Sequence, residues 1–69
     1  MTTNAYYASV LRRENPDLYN WIRAAAIMGK LDGSYAVEQK VLKDTGDKRL
    51  AALAACTASY EMRSARYGR

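Results

Sequence analysis

Asp47-KRLAALAACTASYEMRSAR-Tyr67 is the longest uninterrupted helical pattern in the chain, and its reading decides the fold. Leu50, Leu53, Thr57, Tyr60, Ser64 and Tyr67 recur at alternating intervals of three and four, which places them along one seam of a helix. Thr57 and Ser64 weaken that seam. Around it the first half is small on every side, with Ala51, Ala52, Ala54, Ala55, Cys56 and Ala58. Small side chains let helix axes approach closely, so this half suits packing on two sides, one by its own domain and the other by a fourth element or a second copy. Leu53, Ala55 and Cys56 are therefore the residues expected at a self-association surface. The second half is different in kind. Tyr60, Met62, Arg63, Arg66, Tyr67 and Arg69 combine aromatic, sulfur and guanidinium groups, the composition enriched in binding hot spots.

The elements upstream are shorter. Asn4 reads as the N-cap of a first helix over 5–13, with Tyr7, Val10 and Leu11 on one face and Tyr6 off it. Arg12 and Arg13 offset the carbonyl end of its dipole. Asn15-Pro16-Asp17 is the sharpest local signal. Asn caps, Pro fits the first helical position because its missing N–H has no partner there, and Asp complements the positive end. The helix over 16–30 turns Leu18, Ile22, Ala25, Ala26 and Gly29 inward, widened by Trp21 and Met28. Gly29 is expected to admit a close neighbour. Gly33 ends this helix and Ser34 caps a third over 35–43, where Val37, Val41 and Leu42 face inward. Gly46 turns the chain and Asp47 caps the long helix over 47–67. At 1.5 Å per residue that last helix spans about 31 Å. It outreaches the short helices, so the segment from Tyr60 onward is expected to project beyond the bundle.

The reading is all-α: a single domain over 1–69, a compact bundle of three to four helices with a long C-terminal helix as its spine. A 69-residue chain buries only about 60% of its unfolded surface, so unusually good helix packing, self-association or a partner must supplement the core. Disulfides do not, because Cys56 is the only cysteine. With no histidine and one cysteine a metal site is not expected, nor is a cofactor. The amino terminus lacks a signal-like apolar core and no stretch approaches the roughly 20 apolar residues of a span. The expectation is a cytoplasmic protein with no membrane partner.

Charge is segregated along the chain. Residues 1–47 carry six basic and six acidic groups; residues 48–69 carry Lys48, Arg49, Arg63, Arg66 and Arg69 against Glu61 alone, which is the whole net charge of +4.

Nucleophile–base chemistry lacks a histidine. Every acidic residue reads as a cap, a turn or an exposed position, and the glycines are isolated, so no phosphate cradle forms. The chain reads as a non-enzyme. A helix-turn-helix over 18–42 fails at Lys30 and Glu38, where core positions are required, and its second helix offers a DNA backbone few groups. What remains is binding: a small protein–protein interaction module, an adaptor, inhibitor or assembly component, acting through its last helix. Size and lack of chemistry associate such domains loosely with phage and mobile-element products. The alternative is a nucleic-acid-binding protein using the basic Tyr/Arg C-terminal segment, arginines on phosphates and tyrosines stacking.

Overall fold

The computed structural model describes residues 3–67, and these are helical throughout apart from short connections. Four helices follow one another: α1 Thr3–Glu14, α2 Pro16–Ile27, α3 Ser34–Thr45 and α4 Lys48–Tyr67. This is the all-α bundle with a long final helix. α4 packs against each of the other three, and α1 also meets α2, but no Cα atom of α3 comes within 8 Å of one in α1 or α2. The side chain of Tyr67 and the whole of Arg69, both assigned to a partner surface from sequence, lie outside the described residues.

The boundaries follow from local chemistry. Asn15 Oδ1 accepts from the Leu18 amide at 3.1 Å, with Pro16 at the first helical position. Asp47 Oδ1 accepts from the Leu50 amide at 3.0 Å, so α4 starts where the capping carboxylate puts it. Gly46 closes α3 in the left-handed region at φ 70°, its amide donating to the Leu42 carbonyl at 2.8 Å.

Three expectations are corrected here. Asn4 lies inside α1, which already runs from Thr3. Gly33, not Ser34, holds the N-cap position of α3, and it makes no side-chain cap bond. α2 ends at Ile27, three residues short of the expected Lys30. The Lys30 amide donates to Ala25 O at 2.8 Å and the Gly29 amide to Ala26 O at 3.1 Å, the paired bonds of a Schellman ending. Gly29 is thus the left-handed terminator at φ 70°, with nothing within 4 Å of an added Cβ, and it admits no close neighbour. Gly29→Ala should cost about 1 kcal/mol, because an L side chain is disfavoured at that backbone angle even with open space around it. A urea midpoint unchanged from wild type would contradict this account of the turn.

The core is built from Ala8, Val10 and Leu11 of α1, Tyr19 and Ile22 of α2, Val37 and Val41 of α3, and Ala51, Leu53, Ala54 and Ala58 of α4. Alanines on α4 let three helices approach one spine. Thr57, the weak point of the seam, is fully buried and harmless there, since its hydroxyl donates to the Leu53 carbonyl at 2.8 Å.

The inward arc of α2 is rotated from the expected one. Trp21 and Met28 are 42% and 60% exposed, while Tyr19 is buried in their place. Glu61 is the second reversal: it is neither cap, turn nor exposed, but 7% exposed inside the bundle. The two facts have one cause. Tyr19 Oη donates to Glu61 Oε2 at 2.6 Å, across 42 residues of sequence, and a buried hydroxyl and carboxylate are tolerable only because each satisfies the other. That bond, with Tyr60 and Met62 half-buried against the core, holds α4 to the bundle through Met62. The projection expected from Tyr60 onward therefore does not begin there.

Candidate functional site

Burying Glu61 has an electrostatic result on the outside of α4. The helix carries one carboxylate and keeps it inside, while Lys48, Arg49, Arg63 and Arg66 are all exposed. The solvent face of α4 is therefore purely cationic over its described length. Between these cations runs a stripe of small side chains: Ala52 is exposed, and Ala55, Cys56 and Ser59 are half-buried.

Beside this stripe, α1 and α4 enclose a groove of about 510 Å³. Val10, Ala52, Leu53 and Cys56 line it with apolar or weakly polar surface, and Tyr6, Tyr7 and Arg13 of α1 form one wall. Tyr6 is 62% exposed, and its ring meets that of Tyr7 edge to face, with centroids 5.3 Å apart and planes at 68°. One end is closed by an ion pair. Arg49 donates through both terminal nitrogens to Glu14, Nη1 to Oε1 at 2.6 Å and Nη2 to Oε2 at 2.9 Å. The hydrogen bond from Arg49 holds the Glu14 carboxyl below its ordinary range, and the same bond raises Arg49. No ion pair among the described residues engages Arg13, Lys48, Arg63 or Arg66.

A second cleft, of about 480 Å³, separates α2 from α3. Trp21, Ala24, Met28, Ala36 and Val37 line it, and Lys40 stands over the Trp21 ring with its ammonium 5.9 Å from the centroid. Lys40 also pairs with Asp44 at 3.2 Å on the surface of α3.

The residues singled out from sequence divide accordingly. Arg63 and Arg66 are exposed on the cationic face. Tyr60 and Met62 are half-buried against the core, so each offers an edge and not a free side chain. Of the three self-association residues, Ala55 and Cys56 reach the surface in part, but Leu53 is only 5% exposed. Leu53 belongs to the chain's own core and lies at the base of the groove.

The groove itself was not foreseen. Its one sequence signal was Tyr6, an aromatic residue off the apolar stripe of its helix. Glu14 carried no mark that would pair it with Arg49, 35 residues later.

No helix among the described residues is long and apolar enough to cross a membrane. The cysteine and carboxylate side chains among the described residues form no group of three or more that would hold a metal ion. No protein-family model, curated protein or solved structure matches this chain.

Proposed function

We propose that this chain is a non-enzymatic docking module, an adaptor, inhibitor or assembly component, that binds a partner protein through the outward face of α4 and the groove beside it. The observation that carries the reading is the charge segregation on α4: one carboxylate withdrawn into the core, four cations left outside. Such a face attracts an oppositely charged partner and orients its approach. The acids with described partners support a binding role over a chemical one. Glu61 is engaged by Tyr19, Glu14 by Arg49 and Asp44 by Lys40, while Asp47 caps α4. A second copy is a poor partner for this face. In either relative direction it would set Lys48, Arg49, Arg63 and Arg66 against like charges, which costs affinity.

Nucleic acid is the second reading, favoured by the same cations. One experiment separates the two. The full chain is immobilised and exposed to native lysate with and without nuclease, beside the double variant Arg63→Glu/Arg66→Glu. The expected result is a protein captured regardless of nuclease and lost in the variant. Capture abolished by nuclease would transfer the function to nucleic acid, and capture indifferent to the variant would reject the α4 face.

A further inference from the structure

Resting on the docking reading above, the geometry points to the chemistry of the occupant: the α1–α4 groove takes an acidic amphipathic segment of a partner protein. Its apolar side chains would lie on the groove floor and its carboxylates on the arginine rim. The accessible floor is exposed Ala52 and half-buried Cys56, with Val10 and Leu53 beneath them, an apolar or weakly polar surface on which such side chains can rest. The volume of about 510 Å³ falls within the roughly 300–1,000 Å³ of well-formed ligand sites. Cations outnumber carboxylates on the rim, where Glu14 is the one acidic residue. Arg13 lines one wall and Arg49 one end. Arg63 follows Cys56 by seven residues, so it stands two turns further along the same face of α4.

One carboxylate is already there. Glu14 grips both guanidinium nitrogens of Arg49 in the two-point geometry that carboxylates favour. It occupies, from within the chain, the place that a partner's carboxylate would take on Arg49. Glu14 is thus an internal competitor at the mouth of the groove, and its removal should strengthen binding.

Nucleic acid fits this groove less well. Bases stack on open aromatic platforms, whereas Tyr6 and Tyr7 meet edge to face and offer no parallel pair of rings. Phosphates also gain nothing from an apolar floor.

Cys56 makes the test direct, because it is the only thiol in the chain and lies in the groove. Its rate of reaction with a disulfide reagent reports whether the groove is covered. The full chain is titrated with a fluorescent peptide as long as the 12 residues of α1, carrying leucines at helical spacing and glutamates elsewhere. A lysine-for-glutamate peptide and a single-stranded oligonucleotide serve as comparators. The glutamate peptide should bind and slow Cys56 in proportion to occupancy, and more salt should weaken it. Arg13→Ala/Arg63→Ala should weaken it roughly tenfold. Glu14→Gln should tighten it by roughly threefold. All these positions are exposed, and helicity and melting of each variant confirm that it folds.

The assignment is overturned if the glutamate peptide leaves Cys56 at its free rate, if the lysine peptide binds as well, or if the oligonucleotide binds more tightly and protects Cys56. Its failure is distinct from that of the docking reading. A captured protein that depends on Arg63 and Arg66 yet leaves Cys56 reactive would sink the groove and spare the module. Absence of any captured protein would sink the module whatever the peptide does.

Discussion

Ile22→Ala should destabilise the protein by about 2–5 kcal/mol, the range for truncating a large aliphatic side chain in a packed core. Ile22 is fully buried in the core, on the inward arc of α2 with Tyr19, Ala25 and Ala26. The loss has two parts, the transfer free energy of the missing carbons and the void that remains where neighbours cannot close in. A chain of 69 residues has a total stability of roughly 3–10 kcal/mol, so the variant should sit near or past its unfolding threshold at room temperature. Ile22→Val supplies the measurable intermediate, at about 0.5–1.5 kcal/mol. Urea titration followed by circular dichroism at 222 nm reads both. A variant within about 0.5 kcal/mol of wild type, as for surface positions, would mean that Ile22 is not where the core is densest.

Tyr19→Phe should cost about 1–3 kcal/mol, although it removes a single oxygen. The penalty comes from what remains. Glu61, 7% exposed, would keep a carboxylate in the core without the donor that now reaches it at 2.6 Å. Adding Glu61→Leu to Tyr19→Phe should then recover most of the loss, because replacing both partners with apolar groups deletes the unsatisfied acceptor. If the double variant is no more stable than Tyr19→Phe, the pair is not coupled as described.

A pH signature accompanies this. Burial, and then the bond to Glu61, raise the Tyr19 hydroxyl above its ordinary value of 10.0. The folded state thus holds this proton more tightly than the unfolded one. The contribution is fully present below about pH 10 and is lost as pH rises through the raised folded value. Tyr19→Phe should remove that alkaline component of the stability profile.

The features readable from sequence are those whose cause is local. Asn15-Pro16-Asp17 and Gly46-Asp47 set their helix ends through bonds to residues three or four positions away, so the boundaries there follow from the letters. Gly29 shows where local reading falters. A glycine in phase with an apolar stripe is consistent with a close helix contact or with a left-handed stop, and only the bonds to Ala25 and Ala26 decide between them. The inward arc of α2 was missed for a longer-range reason. Period alone favours Trp21 over Tyr19, and what reverses the order is a carboxylate 42 residues away. The groove depends on α1 meeting α4 and on Glu14 finding Arg49, neither of which any spacing within one helix encodes.

The separation of α3 from α1 and α2 gives the bundle an unequal architecture of cooperation. Freeing α1 would break its backbone-close seams with α2 and α4, and freeing α2 would break two likewise, whereas α3 has one such seam, with α4, and meets α2 through side chains such as Lys40 on Trp21. Of the three shorter helices, α3 alone can swing away by opening a single backbone seam, together with the side-chain contact of Lys40 on Trp21. Partial opening in a protein follows the units that can detach with the fewest broken interfaces. The molecule therefore divides into a mutually braced trio and one hinged member, and Trp21, standing in the cleft on the trio's side, faces the member that can leave.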